Sequence, residues 1–163
     1  MIPPIKKILY TTDLSKNSVY TFYHAVDMAE KYDARIVILN VLEPISAKAY
    51  GSGKEKLELE QHKVSLEVIK NRIQAFCKKV EQRNATCALV VSEILVRVGD
   101  PAEEILKAAE ETACDLIVLG THGKGFLAKT LLGSVSRAVM DRARKPVFLV
   151  PISSEESTAW DEL

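Results

Sequence analysis

The residue types best suited to chemistry in this chain lie in one stretch: Gly120-Thr121-His122-Gly123-Lys124-Gly125, then Phe126 to Leu132, then Gly133-Ser134-Val135-Ser136. Glycines let backbone N–H groups approach a phosphate closely, and a helix opening at Ser134 adds orphan N–H groups and a partial positive charge. Two hydroxyls, on Ser134 and Ser136, stand in that first turn. From Lys124 to Lys145 six basic residues (Lys124, Lys129, Arg137, Arg142, Arg144, Lys145) face a single acid, Asp141, a local charge of +5. These features point to an anionic ligand.

Other motifs fit less well. The P-loop pattern G-x-x-x-x-G-K-[ST] fails because Phe126 and Leu127 follow Gly125. Gly123-x-Gly125-x-x-Ala128 matches a relaxed dinucleotide fingerprint, but it follows the fourth strand-like run, and the acid about twenty residues on, Asp141, falls inside a helix. We read that match as accidental. His24 and His62 are remote from His122 and no H-x-x-x-H spacing occurs, so a zinc role is disfavoured and a backbone-positioning or ligand-contact role suits His122 better. No G-x-S-x-G elbow occurs. The other candidate loop is Thr11-Thr12-Asp13-Leu14-Ser15. Asp13 or Ser15 caps the helix that follows, or Asp13 meets a ligand, and the residues alone weigh the two evenly.

The elements that must position these residues follow from periodicity. Ile8 to Tyr10, Arg35 to Val41, Asp115 to Leu119 and Val147 to Val150 are nearly continuous apolar runs, the mark of strands covered on both faces. Ile94 to Val98 alternates, as a strand nearer an edge does, and the apolar residues 88–91 leave its beginning open. Val19, Phe22, Tyr23 and Val26, and again Ala102, Ile105, Leu106 and Ala109, recur at helical spacing. A long helix is expected from about Lys54 to Arg83, and a last one from Ser134 to Arg144 before Pro146. Asp100, Pro101 and Glu103 form a helix-start signal. The alternation of strands and helices predicts an open parallel sheet with helices on both faces and right-handed crossovers. In such a sheet ligands bind beyond the carboxyl ends of the strands, where the strand order reverses. Val41, at the end of the second strand, offers an apolar side chain near that end of the sheet.

With 163 residues the chain fits one domain of ordinary size. A hydrophobic fraction of 47% and a charged fraction of 27% exclude disorder or fibre as a description of the whole. Zero net charge argues against a general nucleic-acid coat or a polybasic membrane binder. No apolar run approaches the ~20 residues of a membrane helix, and the start, with Pro3 and Pro4, does not read as a signal peptide. Cys77, Cys87 and Cys114, an odd number without a C-x-x-C pair, fit reduced thiols. We therefore expect a cytoplasmic protein.

Gly120, Gly123, Gly133 and Ser134 realise the pattern G-x2-G-x9-G-[ST]. Together with Lys7 to Asp13, Gly99 to Ile105, Asp115 to Gly120 and Lys145-Pro146-Val147, that pattern resembles the universal stress protein family from about Ile5 to Pro151. Thr11 departs from the proline often seen at its position, and Pro44 to Lys63 and the acidic tail carry no motif. The resemblance implies a five-stranded parallel sheet of order 3-2-1-4-5, like that of the adenine nucleotide alpha hydrolases. It also implies an ATP or other adenine-nucleotide site, with or without Mg or Mn. By position, Thr12, Asp13 and Val41 would face adenine and ribose; Gly120, His122 and Gly123 would line the ribose and phosphate path; and Gly133, Ser134, Val135 and Ser136 would hold phosphates.

The expected role is a stress-response or signalling module with slow or no hydrolysis, since no evident water-activating base accompanies the glycine motif. The alternatives are a metal-dependent nucleotide hydrolase or transferase, with weak ATPase activity between the two, and a ligand-independent dimeric scaffold. We expect one domain over residues 1–152 and a polar acidic tail over 153–163. The resemblance implies a homodimer through Val147 to Val150, an apolar strand at the sheet edge. A tail folded over that edge, with Trp160 as anchor, would leave a monomer instead.

Overall fold

The computed structural model describes residues 2–44, 67, 68, 71, 74, 75, 77–79, 81, 82, 87–121 and 132–151, with backbone alone for 16, 17, 87 and 88. In chain order the elements are β1 (Lys7–Thr12), α1 (Lys16–Tyr32), β2 (Arg35–Leu42), the single turn α2 (Cys87–Val90), β3 (Val91–Val98), α3 (Pro101–Glu111), β4 (Leu116–Gly120), α4 (Ser134–Arg142) and β5 (Val147–Val150). Residues 67, 68, 71, 74, 75, 77–79 and 81 are helical, within the second half of the long helix expected from Lys54. Its first half lies outside the described residues. The five strands form one sheet of order β3-β2-β1-β4-β5, and every pairing is parallel.

Alternate side chains of the apolar runs feed two cores, because side chains along a strand point to opposite faces. Ile8, Tyr10, Ile36, Ile38, Leu116 and Val118 pack with Phe22, Ala25, Val26 and Ala29 of α1. Leu9, Val37, Leu39, Ile117 and Leu119 pack with Ala102, Ile105, Ala108 and Ala109 of α3 and Val139 of α4. Helices therefore cover both faces, as the continuous apolar runs require.

Boundaries shift where local chemistry intervenes. The two threonines after Tyr10, β-branched and suited to strands, extend β1 to Thr12. The apolar residues before β3 are not strand but the turn α2, whose Leu89 carbonyl accepts a hydrogen bond from the Arg35 guanidinium. β3 itself is an edge strand with mostly part-exposed side chains. α4 ends at Arg142, two residues before the expected Arg144, because Ala143 turns to extended geometry ahead of Pro146.

The helix-start signal performs as its residues dictate: Asp100 Oδ1 accepts from the Glu103 N–H at 2.9 Å, with Pro101 at the first helical position. At the amino end of the sheet Asp115 Oδ2 accepts from the Lys6 and Lys7 N–H groups at 2.8 and 2.9 Å, tying the chain before β4 to the start of β1. Cys77 and Cys114 are buried free thiols, and burial pushes each up to about 11. No helix among the described residues is long and apolar enough to cross a membrane.

Candidate functional site

The sheet opens between β1 and β4. Their pairing covers Ile8↔Leu116, Leu9↔Ile117 and Tyr10↔Val118 and then stops. Beyond it each strand follows its outer neighbour: β1 stays with β2 as far as Thr12↔Asn40, and β4 stays with β5 as far as Gly120↔Val150. Strand order reverses at this point, so the divergence leaves a crevice at the carboxyl ends. The chain leaving β1 enters α1, which packs on one face, and the chain after β4 leads to α4 on the other. Helix amino ends from both faces thus flank the crevice, each with the partial positive charge of unpaired N–H groups. Neither first turn contains an acidic residue to neutralise it.

On the β1 side, hydrogen bonds fold the loop tightly. Thr12 Oγ1 accepts from the Leu14 N–H at 3.0 Å, and Asp13 Oδ1 accepts from the Ser15 N–H at 2.9 Å. Leu14 takes φ 61°, a left-handed conformation disfavoured for a residue with a Cβ. Asp13 Oδ1 thus closes a turn onto the N–H of the N-cap residue rather than capping the first turn of α1, and Ser15, which occupies the N-cap position, makes no side-chain cap either. Asp13 Oδ2 and Ser15 Oγ are buried without a hydrogen-bond partner. The first turn of α1 is braced from below: the Ser18 hydroxyl donates to Ser15 O at 2.6 Å, and the buried Tyr10 hydroxyl donates to Ser18 O at 2.5 Å. Desolvation raises the Tyr10 pKa above its ordinary value, so the phenol stays a donor.

On the β4 side, the Thr121 N–H donates to Val150 O at 3.0 Å, and the Gly133 N–H donates to Thr121 O at 2.9 Å. The Ser136 hydroxyl, buried, donates to Gly120 O at 2.8 Å and approaches Thr121 O at 3.3 Å. These bonds fasten the start of α4 to the end of β4. They leave the N–H groups of Ser134, Val135 and Ser136 in the first turn, which have no acceptor inside the helix. Gly133 is the N-cap with φ −59° and ψ 154° and offers no side chain that could occupy them. The arrangement can hold an anion at the α4 end and a donor-bearing group near Asp13.

Thr12, Asp13, Gly120 and Gly133 to Ser136 all lie at this end of the sheet, and Val41 near the end of β2 packs partly against the α3–α4 core. His122 and Gly123 lie outside the described residues. Among the described residues no three His, Cys, Asp or Glu side chains converge as a metal site. Sequence reasoning passed over Asn40, buried beside Thr12 on β2, although a polar residue inside an otherwise apolar run was the signal that could have found it.

Comparison with known proteins bears on this geometry. The family model described as "Universal stress protein family" matches residues 4–151. Universal stress protein MJ0577 of Methanocaldococcus jannaschii is 31% identical over 157 residues, covering 89% of this chain and 94% of the relative. A solved structure of MJ0577 superposes with a TM-score of 0.76 at 30% identity, covering 93% of this chain and 99% of that one. A universal stress protein solved in complex with cAMP shares the fold at a TM-score of 0.58 and 24% identity, covering 93% of this chain and all (100%) of that one.

Proposed function

Because the chain belongs to the universal stress protein family, we propose that it is an adenine-nucleotide-binding module of stress response or signalling, with ATP as its ligand. The observation that carries this reading is the end of the β1–β4 pairing at Tyr10↔Val118, with the first turn of α4 fastened to the end of β4 through Gly133 and Ser136. The phosphates lie on the N–H groups of Ser134, Val135 and Ser136 and the Ser134 hydroxyl, approached past the side-chain-free Gly133. Gly120 stands on the path from ribose to phosphate, and the glycine motif alone assigns His122 and Gly123, outside the described residues, to the same path. Thr12, Asp13 and Val41 receive ribose and base; the open acceptor Asp13 Oδ2 matches a hydroxyl or amino donor, and Val41 gives an apolar contact. The relative solved with cAMP supports an adenine nucleotide as the ligand class. Mg or Mn, where present, would be held together with the phosphates, since among the described residues no three carboxylate, His or Cys side chains converge.

Turnover is slow or absent in this reading. Positioning groups are plentiful, but the first turn of α4 has no carboxylate to activate water. The functional unit is residues 1–152, working as a cytoplasmic homodimer, with 153–163 as an appended acidic tail. Mass analysis of nucleotide retained by protein purified from cells tests the reading. An adenine nucleotide near one per chain supports it, and a guanine nucleotide or none contradicts it. Phosphate release near a typical enzyme rate of ~10 per second, lost in Asp13→Asn, would replace it with a hydrolase.

A further inference from the structure

Asn40 is the one polar side chain between Ile36 and Leu42, and it is only 3% exposed. Its Nδ2 donates to Thr12 O at 2.8 Å, while its Oδ1 is buried with no partner. An amide with half its hydrogen-bonding capacity unmet is a poor way to fill a core position, and an apolar residue of similar volume would avoid the desolvation cost. The placement of its satisfied half shows what it does. Thr12 is the last residue of β1, two residues past the end of the β1–β4 pairing, so no backbone from β4 holds it. The Asn40 side chain reaches across from its register partner and fixes the carbonyl of the residue from which the crevice loop departs.

That carbonyl belongs to the Thr12–Asp13 peptide. Fixing it sets the plane from which Asp13 springs, and the Thr12 Oγ1 to Leu14 and Asp13 Oδ1 to Ser15 bonds then fix the turn. We propose that Asn40 is a positioning residue for nucleotide binding: its amide holds the Thr12–Asp13 peptide so that Asp13 Oδ2 stays presented to the ribose and base. The inference rests on the adenine-nucleotide reading and adds a residue that does not itself touch the ligand.

The test is Asn40→Asp, titrated with AMP and with ATP at two pH values and expressed as affinity relative to wild type, which cancels the titration of the phosphates and of Asp13. A buried aspartic acid has a raised pKa. Near pH 5 the variant is protonated, donates to Thr12 O as the amide does, and binds within about twofold of wild type. At about pH 8 it is ionised, repels that carbonyl, and binds at least about tenfold more weakly, by the same factor for AMP and ATP because the defect lies away from the phosphates. Circular dichroism at both pH values verifies folding. Asn40→Leu, which introduces no charge, binds both nucleotides about tenfold more weakly at either pH. A folded Asn40→Leu binding within about twofold of wild type, or an Asn40→Asp whose relative affinity ignores pH, overturns the inference. Wild-type protein that binds neither nucleotide instead removes the reading beneath it.

Discussion

Ser136 turns its hydroxyl inward, to Gly120 O and Thr121 O, rather than out toward the crevice. A hydroxyl has one proton to donate, so this serine fastens the α4 end through its side chain and leaves only its N–H for the proposed anion. Ser136→Ala should lower unfolding free energy by about 1–2 kcal/mol, since the Gly120 carbonyl loses its side-chain donor, and should weaken ATP binding; urea denaturation and calorimetry check the two effects. Equal stability in the variant would show that the bond contributes nothing. Much at this scale was legible. Asp13 and the Gly133 to Ser136 run stand out by residue type, and both lie where strand order reverses. The direction of Ser136 was not legible, because it depends on how α4 is rotated against β4. Nor was the positive φ of Leu14, which is imposed by the Thr12 and Asp13 side-chain bonds rather than by leucine itself. Asn40 was legible as an anomaly, but its meaning required the register that sets it opposite Thr12.

Helices and strands were legible wherever both faces are buried. The strands β1, β2, β4 and β5 coincide with apolar runs, and α3 begins at its capping signal because Asp100 and Pro101 act through bonds only a few residues long. The start of β3 was illegible because residues 88–90 have strand-like composition; their conformation is that of a helical turn, with an Arg35 contact 54 positions distant at Leu89. β5 is an edge strand with Phe148 37% exposed and close to His24, ring centroids 6.1 Å apart. An apolar edge invites pairing, and a second copy of the same strand across a two-fold axis closes it. We therefore predict that the full chain and a chain ending at Ser153 both sediment as dimers, while Phe148→Glu sediments as a monomer. A wild-type monomer that associates only after truncation would place the tail on the edge instead.

For the whole molecule, the order β3-β2-β1-β4-β5 makes the proposed site. Sending successive strands outward in opposite directions from the β1–β4 boundary forces those two strands to follow different neighbours, and the gap between them is the crevice. The order came from resemblance; alternation of strands and helices alone predicts a parallel sheet but leaves several orders open. The residues that leave β1 and β4 stand at the switch point because each follows a strand that borders it. The central claim is that the phosphates of an adenine nucleotide rest on the first turn of α4, and calorimetric titration of wild type and Gly133→Val with ATP tests it most directly. The φ of −59° at Gly133 suits any residue, so the local backbone conformation is compatible with valine, whose methyl groups then stand before the open N–H groups. The account predicts one ATP per chain for wild type and an affinity at least about tenfold lower for the variant. Saturable binding with the same affinity in both would contradict it.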